Sequence, residues 1–248
     1  MDYLIQEHID NFLYIDIETL PKGEKGEPEY PEKPTEEDVK VGNRKGETAE
    51  KYRKERLPSL IKEWEKECKK VDDKIEEEYR NRSLHSEKGR LYCICYAMND
   101  EPVKTIKFLK DEKKMIQYFV EDLFKSYDRT LATVGWVGHN IRNFDLPWIV
   151  HRMWKYNVRD IIHYMPQSPR DKRVIDTGDL WGVTNFKGYK SLDDICQFLG
   201  LKTKEGIDGS QVYDYYLEGD HKSVYKYCKD DVSARLRPLH NIIRGESV

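Results

Sequence analysis

Three short segments carry residue types that can do chemistry. In Asp16-Ile17-Glu18 two carboxylates stand two positions apart, and on an extended strand such residues project to the same face. A pair of that kind can hold a hard cation. In Gly138-His139-Asn140-Ile141-Arg142-Asn143-Phe144-Asp145-Leu146-Pro147 a third acid follows an apolar run and opens a helix, with Pro147 in its first turn. Asp145 there is either part of a reactive cluster or the N-cap of the helix. In Tyr227-Cys228-Lys229-Asp230-Asp231-Val232 the tyrosine and Asp231 are four apart and share one helical face, so a phenol and a carboxylate can enter one cleft together. Asp230 points elsewhere. Taken singly, each segment also fits a solvated strand end, a cap or a surface pair.

The elements that must position these side chains read as an alternation of strands and helices. Phe12 to Ile17 is a buried strand. From about Pro21 to Lys88 the character changes: Pro28 to Pro34 forms an extended arm, and Ala49 to Arg82 a lysine- and glutamate-rich helix or helix pair. Leu57, Leu60, Ile61, Trp64, Cys68, Val71 and Ile75 recur at three- and four-residue steps, one narrow stripe able to lie on the main domain. Arg90 to Met98 and Val103 to Leu109 make a hairpin around Asn99-Asp100-Glu101-Pro102. A helix at Glu112 to Tyr127, a strand at Thr133 to Gly138, a helix at Leu146 to Lys155 and a strand at Val174-Ile175-Asp176 follow. Ser191 caps a helix that Gly200 ends, and the chain from about Gln211 is largely helical. No internal repeat is present.

A length of 248 residues suits one sizeable α/β domain with an insertion. Hydrophobic residues make up 38% and charged residues 36%, so the chain buries a core and carries charge beyond what that core needs. The formal net charge of -3 excludes an overall basic field, so any polyanion would have to be held by a local groove. The five cysteines are odd in number and lack zinc-site spacing, which points to a reducing interior. Alternation in Leu91 to Ala97 puts Cys93 and Cys95 on one sheet face as small packing residues. The N-terminal residues show no basic region followed by an apolar stretch, and no run of about twenty apolar residues occurs. A soluble, intracellular protein is expected, without a membrane partner.

Together and in this order, the three segments resemble the DEDD-type 3′→5′ exonucleases of the branch with tyrosine in the third motif. Asp16-Ile17-Glu18 matches the first motif, Asn140 with Phe144-Asp145 the second, and Tyr227 with Asp231 the third. Lys226 occupies the place five residues before Asp231 where the histidine branch has its histidine. Gly206-Ile207-Asp208-Gly209-Ser210-Gln211-Val212 further resembles stand-alone exonucleases related to the proofreading domain of family B DNA polymerases, phage-type members included. The resemblance covers roughly residues 10–20 and 89–242 and leaves the helical arm unexplained.

The resemblance implies a ribonuclease H-like exonuclease fold: α/β, a mixed five-stranded sheet flanked by helices, its second strand antiparallel, with a helical insertion after the first strand. It implies one exonuclease domain over residues 1–248 with a charged, largely helical insertion at 22–88. It implies that Asp16, Glu18, Asp145 and Asp231 hold two divalent cations, Mg²⁺ or Mn²⁺, which agrees with oxygen-only ligation and with two ions about 4 Å apart acting on an in-line displacement. Tyr227 would orient the attacking water, its ordinary pKa near 10 making it a poor base at neutral pH. Phe144 would offer a face to the terminal base and Asn140 a polar hand, with Thr19 and Leu20 seating the last nucleotide. Phe144 also fits the core. Lys187 and Lys190 would neutralise phosphate, or form a solvated turn. The implied reaction releases nucleoside 5′-monophosphates from 3′ ends of single-stranded DNA, in the cytoplasm, or the host cytoplasm for a phage-encoded member. The insertion would clamp the strand or dock a replication or repair protein. Two rivals stand beside it: a 3′→5′ exoribonuclease, because nothing identifies a 2′-hydroxyl sensor, and a non-catalytic nucleic-acid-binding module on the same fold.

Overall fold

The structure, a computed structural model, describes residues 9–128, 130–166, 168, 170–185, 188–204 and 206–246. It divides into two compact units, one built from the chain up to Pro21 together with Ser83–Val248, the other from Lys22–Arg82.

The first unit is organised on five strands, β1 (Phe12–Pro21), β2 (Gly89–Met98), β3 (Lys104–Ile106), β4 (Gly135–Gly138) and β5 (Val174–Asp176), in the order β3-β2-β1-β4-β5. β2 runs antiparallel to β1 and β3, while β4 and β5 run parallel to β1. β1 is central, and its alternation sorts side chains between two layers. Leu13, Ile15 and Ile17 join the larger core beneath two helices at Glu112–Tyr127 and Asp145–Tyr156. Phe12 and Tyr14 face the other way, into a cluster with Cys93, Cys95, Ala97, Val137, Ile175, Cys228, Val232 and Leu236.

With α1 (Glu47–Arg80) assigned to the second unit, the helices of the first are α2 (Glu112–Tyr127), α3 (Asp145–Tyr156), α4 (Thr177–Gly182), α5 (Leu192–Leu199), α6 (Val212–Leu217), α7 (His221–Asp230) and α8 (Arg237–Ile243). Their ends follow local chemistry. Asp111 caps α2 by accepting from Lys114 N at 3.3 Å. Ser191 caps α5 by accepting from Asp194 N at 3.1 Å, and Gly200, at φ 69°, ends that helix in the left-handed region that glycine tolerates.

Three strands differ in length from expectation by two residues or more, and of these β4 begins at Gly135 rather than Thr133. β1 continues past Ile17 because β2 keeps pairing with it, through Leu20↔Arg90 to Pro21↔Gly89. β3 is confined to Lys104–Ile106 because Phe108 leaves the ladder to pack on Tyr92, ring centroids 5.5 Å apart, and donates its N–H to the Tyr225 hydroxyl at 3.1 Å.

A buried ion pair fixes α3 on the sheet. Arg152 is 2% exposed; its Nε donates to Glu112 Oε1 at 2.6 Å and its terminal nitrogens donate to the Ser86 and Gly89 carbonyls. Glu112 also accepts from Leu91 N at 2.7 Å and from the Tyr156 hydroxyl at 2.6 Å. Every polar group is thereby answered, which a buried pair requires. The arrangement joins α2, α3 and the start of β2.

In the second unit, α1 is one continuous 34-residue helix rather than a pair. Its apolar stripe, Leu57 through Ile75, is half-buried. The arm is tied to this helix: Trp64 Nε1 donates to the Pro31 carbonyl at 2.8 Å, the Tyr30 hydroxyl to Asp72 at 2.7 Å, and Lys25 pairs with Glu76.

His240, 1% exposed on α8, shares a 2.9 Å hydrogen bond with the Tyr14 hydroxyl and packs edge-on against Phe12. Burial, reinforced by Arg244, lowers its pKa from 6.5 to about 4. The unfolded chain therefore takes up a proton first as pH falls, so stability declines below about 6.5 and the loss saturates below about 4. Urea unfolding across this window should show His240→Gln losing less stability than the wild type on acidification, by up to about 3 kcal/mol.

Candidate active site

Continuing the alternation of β1, Asp16 and Glu18 follow Phe12 and Tyr14 onto the face covered by α7, where both are half-buried. The ladder slips between Glu18 and Thr19: Glu18 pairs with Cys93 and Thr19 with Leu91. Tyr92 is thus the extra residue of a β-bulge, a device that re-aims strand-end side chains.

Asp145 is the first residue of α3. Phe144 occupies the N-cap, without a side-chain capping bond, so the capping alternative is not realised. Instead Asp145 Oδ1 accepts from Ile17 N at 3.0 Å. The pairing of β1 with β4 ends at Tyr14↔Val137, and this carboxylate stands where a strand partner would otherwise answer the Ile17 N–H. Asp145 is 3% exposed. The loop leading to it is held by Asp176, itself 3% exposed, which accepts from Asn140 N at 2.9 Å, Arg142 N at 3.2 Å and Gly178 N at 3.0 Å.

Tyr227 and Asp231, 9% and 6% exposed, come from the end of α7. A π-helical stretch, Asp231–Leu236, begins at the second of them. Such wide turns are uncommon and recur at functional sites.

Electrostatics ties the four acids together. Asp16, Glu18 and Cys228 offer ligand atoms within 4.8 Å of one another. The Asp16 and Glu18 carboxyls are pushed well above the ordinary range, first by burial and then by the Asp231 charge, with Asp145 adding to both. Burial raises Asp145 to about 7, with Asp176 and Asp231 contributing. Asp231 rises to about 6 by burial, against the pull of Arg235 and Lys204. The Tyr227 hydroxyl is driven far above its usual value by burial, then by Asp231, Glu18 and Asp16.

Two cations at this site escaped the sequence reading. Arg235, 2% exposed, brings Nε within 2.6 Å of Asp231 Oδ1. The pair is ionic without a directed hydrogen bond, for that oxygen has no hydrogen-bond partner among the described residues. Its four-residue spacing from Asp231 was the available signal. Lys204 sits over the Tyr227 ring, 5.4 Å from its centroid, and lowers Glu18 and Asp231. Nothing in its sequence context marked it.

The expected substrate contacts divide. Asn140 adopts φ 61° and accepts from Asn143 Nδ2 at 3.0 Å. Phe144 is half-buried, packed against the larger core and 6.0 Å from the Trp148 ring. The Thr19 hydroxyl donates to the Ser83 carbonyl at 2.6 Å. Leu20 is 1% exposed in a cluster with Tyr92, Val212 and Val224, so its side chain is a core residue and lies away from the cleft surface. Lys190 is exposed, and its carbonyl is 2.8 Å from His139 Nε2. Lys187 lies outside the described residues.

The acids suit divalent cations. Asp16 Oδ2 and Asp231 Oδ1 are buried without hydrogen-bond partners, and clustered carboxylate oxygens are the donors that Mg²⁺ and Mn²⁺ prefer.

This sheet, with its flanking helices and the helical insertion after the first strand, defines a ribonuclease H-like exonuclease fold. The chain belongs to the family described as "Predicted 3'-5' exonuclease related to the exonuclease domain of PolB", whose profile matches residues 81–235. Asp16 and Glu18 precede that segment. Among solved structures, the chain resembles the family B DNA polymerase from the hyperthermophilic archaeon Pyrobaculum calidifontis. The TM-score is 0.57 and the identity 16%, with 94% of this chain and 24% of the polymerase covered. The chain thus spans about a quarter of that polymerase's length, and the likeness bears on the fold alone. No curated protein matches the chain. Among the described residues, no helix is long and apolar enough to cross a membrane.

Removing one charge should relieve the cluster when no metal is present. In EDTA at mildly alkaline pH, Asp16→Asn is expected to raise the melting temperature by a few degrees, about 0.5–2 kcal/mol. Mg²⁺ should then stabilise the wild type more than the variant. Calorimetry showing a lower melting temperature for Asp16→Asn in EDTA would contradict the mutual repulsion described above.

Proposed function

We propose that this chain is a metal-dependent 3′→5′ exonuclease of the DEDD tyrosine branch, hydrolysing the terminal phosphodiester of single-stranded DNA and releasing nucleoside 5′-monophosphates. The observation that carries the reading is the convergence of Asp16, Glu18, Asp145 and Asp231, from β1, α3 and the end of α7, on one electrostatically coupled cluster with Tyr227 beside it. Membership in the exonuclease family supports it independently. Residues 1–248 would form one exonuclease domain, with 22–88 inserted in it as a clamp or as a dock for a replication or repair protein.

Bound divalent cations, Mg²⁺ or Mn²⁺, would acidify the attacking water and neutralise the departing 3′ oxygen. Asp16 and Glu18 hold their side of the site rigidly because they stand on the central strand, and Asp145 is braced by the Ile17 N–H. Tyr227 stays protonated through the neutral range, since burial and three nearby acids oppose its ionisation. It acts as a hydrogen-bond donor that orients the water, and the proton leaves by another route. Lys204 and Arg235 limit the excess negative charge that a phosphate would otherwise meet. Asn140, Phe144, Thr19 and Lys190 are the proposed contacts to the terminal nucleotides, which must be unpaired to enter.

The test is a 3′-labelled single-stranded oligonucleotide offered as matched DNA and RNA. DNA should lose its terminal nucleotide in Mg²⁺ or Mn²⁺ and remain intact in EDTA. Asp145→Ala and Asp231→Ala, still folded, should lose at least about 10³-fold in rate. Metal-independent binding without cleavage would sink the enzymatic reading, and faster loss from RNA would reassign the substrate.

A further inference from the structure

Three thiols meet immediately behind the acids. In the β1–β2 ladder Cys95 stands directly opposite Asp16, and Cys93 directly opposite Glu18. Two sulfurs and two carboxylates therefore project from neighbouring strands to one face, with opposed Cβ atoms about 4.5–5.5 Å apart. α7 crosses that face and delivers the third sulfur. Cys93, Cys95 and Cys228 have sulfurs within 4.8 Å of one another, and Cys228 is equally close to the carboxylate oxygens of Asp16 and Glu18. All three cysteines are free and fully buried. Hydrogen bonds from Cys228 and Cys93 lower the Cys95 thiol, while burial holds the Cys93 and Cys228 thiols well above their usual value.

We propose that Cys93, Cys95 and Cys228, with one carboxylate oxygen of Asp16 or Glu18, form a tetrahedral site for a thiophilic divalent cation of the Zn²⁺ or Cd²⁺ class. Three thiolates and one oxygen are a donor set that softer ions favour over Mg²⁺. Zinc–sulfur bonds of about 2.3 Å in a tetrahedron place sulfurs about 3.8 Å apart, so the trio has to contract by about 1 Å at most. The acids share their 4.8 Å grouping with Cys228 alone, so a carboxylate has to swing toward Cys93 and Cys95 to complete the tetrahedron. Binding releases the three thiol protons to solvent. Because the fourth ligand is one of the acids assigned above to Mg²⁺, the two ions compete, and the thiophilic ion blocks cleavage. That consequence rests on the proposed function; the binding itself does not.

Co²⁺ titration of the metal-free full chain, kept reduced by a phosphine, tests the site optically. A near-ultraviolet sulfur-to-cobalt charge-transfer band with intense tetrahedral visible bands should grow to a single equivalent and vanish when Zn²⁺ is added. Cys228→Ala and Cys93→Ala should lose the band, while Cys68→Ala and Cys196→Ala keep it. Asp145→Asn should keep the band while lacking nuclease activity, which separates this proposal from the functional one. Only the faint bands of oxygen-ligated, octahedral Co²⁺ in the wild type would overturn the proposal, and that spectrum decides even where an alanine variant fails to fold. Survival of the charge-transfer band in a folded Cys228→Ala variant would overturn it equally.

Discussion

Like charge gathered in a poorly solvated cleft is the constraint around which this domain is organised. Burial raises the carboxyls of Asp16, Glu18, Asp145 and Asp231, the Asp231 charge raises the other three further, and Asp145 adds to Asp16 and Glu18. Such a cluster persists only where the surrounding structure over-determines it, and a bound cation inverts its logic by making the charged forms favourable. The stiff parts lie where that demand is greatest. Two acids stand on the central strand, the third braces an otherwise unanswered strand N–H, and the fourth begins a π-helical turn held by Arg235. The Arg152–Glu112 pair matters because it seats α3 and with it Asp145.

Much of this was legible in the residues. The apolar run from Phe12, the hairpin around Asn99 and the cap at Ser191 depend on short-range chemistry, and the structure follows it. The two-residue spacing of Asp16 and Glu18 and the four-residue spacing of Tyr227 and Asp231 carry their common faces directly. What stayed hidden was set at long range. Leu20 looked like a cleft neighbour of the first motif, yet the bulge and the packing of Tyr92, Val212 and Val224 take it into the core. Phe108 matched a strand pattern and left the sheet for an aromatic cluster. Lys204 reaches Tyr227 only because the loop after α5 folds back, which no local pattern encodes. Asp176 looked like the end of a strand and turns out to hold the 140–144 loop through its backbone N–H groups.

The cysteines show the same division. Alternation put Cys93 and Cys95 on one face, but it could not bring Cys228 across from α7, nor set the thiols opposite the acids in the ladder. Hard oxygen donors and soft sulfur donors thus share one wall of the sheet. Which ion a site of this kind holds depends on donor type and on the ions available more than on raw affinity.

The most direct measurement is a diffraction experiment on Mn²⁺-soaked, reduced crystals, with anomalous scattering used to locate the metal. The account predicts two Mn²⁺ peaks about 4 Å apart, both ligated by oxygens of Asp16, Glu18, Asp145 and Asp231. Peaks that leave two of these acids without a metal, or none in the cleft at saturating Mn²⁺, would contradict it.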